Sequence, residues 1–152
     1  MPTLKPGDKA PAIHATDENG TPVSLSDYKG KKVVLYFYPK DDTPSCTKEA
    51  CSFRDHHKAL QKKGYVVLGV SMDTGKSHQK FIKKFELPFT LLSDPDRKVI
   101  DDYGVWGLKK FMGREYMGII RTTFVINEKG RIEKIIDKVD TKNAALQILT
   151  GA

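Results

Sequence analysis

A chain of 152 residues with 39% hydrophobic and 30% charged side chains can bury a core without disulfide or metal staples. No window approaches the roughly 18 apolar residues of a membrane span. The net charge of +7 is spread along the chain and mixed with acids, and the aromatics lie in apolar runs. That pattern argues against a phosphate track or a base-stacking platform, so no nucleic-acid partner is expected.

The opening residues Met1-Pro2-Thr3-Leu4-Lys5-Pro6 carry no apolar signal segment, which predicts a cytoplasmic protein. In that reducing compartment two cysteines point to chemistry more than to staples. Residues 1–11, punctuated by Pro and Gly, are expected to be irregular. Ile13 to Thr16 and Thr21 to Ser24 flank Glu18-Asn19-Gly20, a hairpin signal. Asn19-Gly20-Thr21 also matches a glycosylation sequon, but without a signal segment the turn reading is preferred. Ser26 to Gly30 reads as a short helical turn.

Lys32 to Tyr38 is a β-branched and aromatic run, the pattern of a central strand buried on both faces. Pro39 stops it. A helix is predicted from about Pro44 to Lys62, with Ala50, Phe53, His57 and Leu60 inward. Tyr65 to Ser71 is a second buried strand. Strand, helix and strand make a parallel unit with a right-handed crossover. A helix over 76–85 follows, with Phe81, Ile82 and Phe85 on one face, then a short strand at Phe89 to Leu92.

Ser93-Asp94-Pro95 opens a short helix through Tyr103, and Gly104 to Gly118 reads as a long irregular connection. Ile119 to Ile126 is read as one strand, turned by Asn127 to Gly130 into an antiparallel return over Arg131 to Ile136. Thr141 is placed as the cap of a final helix over 142–149. No repeat or linker interrupts the chain, so 1–152 is read as a single domain. The sum is α/β, with a mixed sheet of about five core strands flanked by helices and an N-terminal β-hairpin.

Cys46 and Cys51 are the only cysteines. Their C-x4-C spacing is not the C-x-x-C redox motif. Spacing alone leaves open two ordinary helical cysteines. Position tells them apart. Thr43 suits the N-cap and Pro44 the first helical position. Cys46 then lies in the first turn, near unpaired N–H groups that favour a thiolate, and only the thiolate is nucleophilic. Five helical residues separate two Cα atoms by about 8.6 Å. A disulfide needs less than about 7 Å. A bond between these cysteines therefore requires the helix to unwind.

Other constellations are weaker. Cys46, Cys51, His56 and His57 do not match the spacing of a structural zinc site, and no metal is expected. Gly69 to Ser77 resembles a phosphate loop with one residue too many between the glycines. Ser45 to Lys48 matches S-x-x-K without its companion motifs. His14 and His78 are read as surface or turn residues. Arg121, inside an apolar strand, reads on pattern alone as facing solvent.

Pro39 to Cys46 carries the signature P-x-x-x-T-x-x-C, and the chain resembles the peroxiredoxins. The continuation Thr47-Lys48-Glu49-Ala50-Cys51 is similar to the peroxiredoxin Q, or bacterioferritin comigratory protein, subfamily. Leu87-Pro88-Phe89, Leu92 to Pro95, Tyr103 to Gly107 and Arg121 to Ile126 extend the resemblance over nearly the whole chain. It implies a thioredoxin-like fold and a thiol peroxidase for hydrogen peroxide and organic hydroperoxides. It implies recycling by thioredoxin or a similar dithiol, a monomer, and no cofactor.

By the same resemblance Cys46 is the peroxidatic cysteine, and Thr43 and Arg121 hold the peroxide. Pro39 shields the site, and Cys51 is the resolving cysteine. Glu49, one turn beyond Cys46, is expected to orient Arg121. Ser45 stands where the subfamily carries Gly, and Thr141 to Ala152 carries little of the family pattern. The alternatives are a disulfide oxidoreductase or a redox sensor that signals by the same unwinding, and a non-catalytic thioredoxin-like binding module. Thr43, Cys46 and Arg121 together favour the peroxidase, since an exchange enzyme has no need of peroxide-binding groups.

Overall fold

The computed structural model describes residues 4–150. The first three residues of the irregular lead and the last two of the chain lie outside them. The sheet is built around β3 (Lys32–Phe37), whose residues from Val33 onward are all buried. It pairs in parallel with β4 (Tyr65–Ser71) and antiparallel with β8 (Thr122–Ile126). β5 (Thr90–Ser93) extends the parallel side, and β9 (Ile132–Ile136) the antiparallel side. The expected hairpin forms from β1 (His14–Thr16) and β2 (Pro22–Ser24), and joins β5 through Thr16 and Ser93. The order is β2-β1-β5-β4-β3-β8-β9, so the five predicted core strands become part of a seven-stranded sheet.

Strand period sorts the core into two layers. Val33, Leu35 and Phe37 face a cluster with Leu92, Tyr103 and Phe124. Val34, Tyr36 and Tyr38 face the other way, toward Cys46, Ala50, Phe53 and Phe81. The strands approach closely at Gly69. A Cβ there would sit 2.7 Å from the Leu91 side chain and 2.9 Å from the Tyr36 ring. That absence of bulk seats Tyr36 beneath the cysteine helix.

Four boundaries differ from the sequence reading. The long helix divides into α1 (Pro44–Asp55) and α2 (His57–Lys62). His56 breaks it at φ −110° and ψ 14°. Its ring Nδ1 shares the Ser52 carbonyl, 3.0 Å away, with its own backbone N–H. His57, predicted inward, is half-buried near Phe89.

The irregular connection is instead a hairpin, β6 (Trp106–Phe111) and β7 (Arg114–Ile119). Met112 and Gly113 turn it at φ of 50° and 80°. Its alternation is hidden because both faces carry exposed apolar residues, Leu108 being 56% and Phe111 65% exposed.

The strand read over 119–126 splits, with β7 ending at Ile119 and β8 starting at Thr122. The Ile120 N–H bonds to the Val105 carbonyl instead of continuing the ladder. At the C-terminal end a 3₁₀ turn, Thr141–Asn143, precedes α5 (Ala144–Leu149). Asp140, not Thr141, occupies the cap position of that turn. The remaining helices are α3 (Gly75–Phe85) and α4 (Lys98–Asp102). No helix among the described residues is long and apolar enough to cross a membrane.

Candidate active site

The site lies where β3 gives way to α1. Tyr38 still donates its N–H to the Val70 carbonyl, 3.1 Å away. Pro39 has no N–H to continue the ladder, and the chain leaves the sheet there, half-buried. Asp42 turns the chain at φ 57°. Thr43 takes the N-cap position with extended dihedrals, and Pro44 follows inside the first turn.

Thr43 does not cap with its side chain. Its hydroxyl donates to the Lys40 carbonyl at 2.9 Å, closing the loop on itself. Its backbone carbonyl accepts from the Thr47 N–H at 2.8 Å. Cys46 is thereby set in the first turn of α1, facing the core and 2% exposed.

Arg121 reaches this sulfur from the break between β7 and β8. Its Nη2 donates to Cys46 Sγ at 3.4 Å, and its Nη1 to Glu49 Oε1 at 2.6 Å. One planar fork thus spans the two side chains, which a flexible ammonium could not do. Glu49 is fully buried. Burial pushes its carboxyl up to about 7, against the pull of the Arg121 charge. Arg121 thus sets a permanent cation and a donor against the Cys46 sulfur.

Cys46, Glu49 and Arg121 are therefore brought together. Thr43 and Pro39 border the same loop, and the Thr43 hydroxyl bonds to the Lys40 carbonyl, not to Sγ. Cys51 lies further along α1, half-buried, and both cysteines are free thiols. Sequence reasoning about Cys46 and Cys51 rested on an intact helix, and the helix is intact across both.

The sequence reading missed a second cluster beneath the loop, and misplaced His78. This residue is fully buried, not at the surface. Its Nδ1 lies 2.7 Å from Asp41 Oδ2 and its Nε2 lies 3.0 Å from the Leu92 carbonyl. Tyr38 Oη and Ser77 Oγ also donate to the Asp41 carboxylate, at 2.5 and 2.8 Å. The Asp41 N–H donates to Asp73 Oδ2 at 2.8 Å. One signal was available: His78 falls in phase with Phe81, Ile82 and Phe85, on the stripe of α3 that faces inward. Among the described residues Asp41, Asp73 and His78 are the only group of metal-type donors held close together. They bond to one another and to their neighbours. Ser77, the last residue of the phosphate-loop near miss, is engaged by Asp41 in the same cluster.

The AhpC/TSA family model matches residues 6–135. Peroxiredoxin Bcp of Bacillus subtilis is 48% identical over 147 residues, 97% of this chain and 94% of that protein. Peroxiredoxin Bcp of Escherichia coli is 46% identical over 143 residues, 94% of this chain and 92% of that one. Among solved structures, Xanthomonas campestris bacterioferritin comigratory protein, described for its alkyl peroxide reduction activity, superposes with a TM-score of 0.88. It is 32% identical, covering 97% of this chain and 96% of that chain. The mixed sheet and flanking helices are those of the thioredoxin-like peroxiredoxin fold. With relatives this similar over nearly its whole length, the chain belongs to the AhpC/TSA family, in its peroxiredoxin Q and bacterioferritin comigratory protein group.

Proposed function

We propose that this peroxiredoxin reduces hydroperoxides at Cys46 and resolves the product internally with Cys51. The observation that carries the reading is the Arg121 fork, with one arm on a buried sulfur and the other on Glu49. The Cys46 thiolate attacks the terminal oxygen of ROOH. The O–O bond breaks, the alkoxide takes up a proton and leaves as ROH, and Cys46 becomes a sulfenic acid. Arg121 supports the thiolate and the charge growing on the departing oxygen. Thr43 offers a hydroxyl at the loop, and Pro39 screens the sulfur from water.

The Cys51 thiolate then attacks the Cys46 sulfur. An S–S bond forms and the sulfenic hydroxyl leaves as water. Two helical positions five apart cannot meet, so the first turns of α1 open at this step. A dithiol protein of the thioredoxin type restores both thiols by exchange, and the basic net charge favours an acidic partner. The protein acts as a cytoplasmic monomer and needs no cofactor.

Thiol counting tests the cycle. With one equivalent of hydroperoxide, wild type should lose two thiols and gain an intramolecular disulfide. Cys46→Ser should leave peroxide untouched at low concentration. Cys51→Ser should lose one thiol and stop at a sulfenic acid or a mixed disulfide. Peroxide consumption by Cys46→Ser at the wild-type rate would sink the assignment.

A further inference from the structure

We propose that His78 is a positioning residue for peroxide reduction, acting through Asp41 to hold the Tyr38–Thr43 loop that presents Cys46. The inference rests on Cys46 being the peroxidatic residue.

Asp41 sits in the middle of the loop that starts α1, two residues before the N-cap Thr43. It is the only carboxylate of that loop drawn into the interior, since Asp42 remains exposed. Three side chains from two places converge on it: Tyr38 from just past the end of β3, and Ser77 and His78 from the first turn of α3. Its own N–H is taken by Asp73, at the end of β4. Asp73 in turn accepts from Ser71 Oγ at 2.8 Å, and its backbone carbonyl accepts from Ser93 Oγ.

His78 links this cluster to the rigid sheet. Its Nε2 faces a carbonyl oxygen, the Leu92 carbonyl of β5, which only accepts, so that nitrogen carries a hydrogen. Its Nδ1 shares a hydrogen with the Asp41 carboxyl. The ring is fully buried and cannot turn without giving up its bonds to both the Asp41 carboxylate and the Leu92 carbonyl. Each group in the cluster has a hydrogen-bond partner, and none of these bonds goes to Cys46, Glu49 or Arg121. A network of this completeness placed under one loop fixes where the loop runs. Through Thr43 it fixes where the first turn of α1 begins.

The far side of α1 is held as well. Ala50 and Phe53 are fully buried, and Ser52 Oγ accepts from the Ala145 N–H at 3.0 Å. The stretch from Asp42 to Glu49 lies between these two anchors. Cys46 is inside it, and Cys51 is among the residues of the second anchor. The clamp therefore serves the first chemical step, where loop geometry sets the attack. It does not serve the second, where the stretch opens.

Two substitutions separate this role from general stability. Asn at position 78 can keep the bond to Asp41 and lose the one to Leu92. Gln can do the reverse. Rapid mixing with hydrogen peroxide, acid quench and mass analysis of Cys46 would give the oxidation and disulfide-forming rates separately. His78→Gln should slow Cys46 oxidation by about ten- to a hundredfold, the cost of a misplaced reacting group. Its disulfide-forming rate should be equal to or faster than wild type. His78→Asn should stay within about threefold of wild type in oxidation, despite any loss of melting temperature.

A folded His78→Gln that oxidises at the wild-type rate overturns the proposal, as does Asn slowing as much as Gln. If His78→Gln does not fold, Tyr38→Phe decides. It removes one donor from Asp41 and should slow oxidation by about threefold; an unchanged rate overturns the proposal. A wild-type Cys46 thiol that survives peroxide would instead overturn the reading on which the proposal rests.

Discussion

Arg121 makes two charge-assisted contacts from one planar group, and the two differ in what they demand. The contact to Sγ needs a donor at a defined angle, and the contact to Glu49 fixes that angle. Arg121→Lys keeps the charge and loses the fork. Circular dichroism should show an intact fold, while Cys46 oxidation slows on the order of tenfold. Unchanged kinetics would reduce Arg121 to a loop residue. Glu49 has a separate signature. Its carboxyl sits at about 7 instead of 4.5, so the unfolded chain releases this proton before the folded one. Stability then falls as pH rises from about 4.5 through 7, by roughly 3 kcal/mol from this group. Urea unfolding of wild type and Glu49→Gln across that window should diverge, with the variant losing less stability as pH rises. Parallel profiles would contradict the burial argument. The sequence located Cys46 from Pro44 and the helix start alone. Arg121 came only from resemblance, because its run reads as continuous strand and nothing in the pattern marks the break at Ile120. His78 was misjudged because a lone histidine carries no sign of its partner, 37 residues away in sequence.

The decisive element is α1. Its beginning was legible because Thr-Pro is a strong start signal. Its end was not, because His56 ends it through a side-chain bond to a carbonyl that helical periodicity does not reveal. In the proposed cycle the first half of α1 opens, while the second half stays held by Ala50, Phe53 and the Ser52 bond to Ala145. Hydrogen exchange on the peroxide-oxidised protein tests this division. Amide protection should be lost in the first half of α1 and retained in β3 and α3. Loss spreading into α2 and α5 would mean that the second anchor does not hold. The β6–β7 hairpin was read as irregular for an opposite reason. It carries apolar residues on both faces, so neither a period of two nor a clear inside appears in its sequence.

At the scale of the molecule, the parallel pair of β3 and β4 at the centre of the sheet was legible, whereas the order of the strands around it was not. Buried runs such as Val33 to Tyr38 and Tyr65 to Ser71 announce themselves by composition, and their crossover can take only one hand. The added edge hairpin was also foreseen, since Asn19-Gly20 marks its turn. What sequence could not supply was the meeting of distant parts: β3, the start of α3, and the break before β8 all deliver groups to one end of the sheet. Each arrives from a different distance along the chain, and local pattern holds no record of that.

The burial of Cys46 has a further consequence for the proposed cycle. Oxidation to the disulfide draws this side chain out of the core and leaves the first turns of α1 unfolded. Reduction allows both to re-form. The free energy of refolding that segment is thus added to the exchange reaction and drives it toward the thiols. The reductant does not work against a stable cross-link. It releases a segment that the disulfide holds unwound, and the refolding of that segment returns Cys46 to its place beside Arg121.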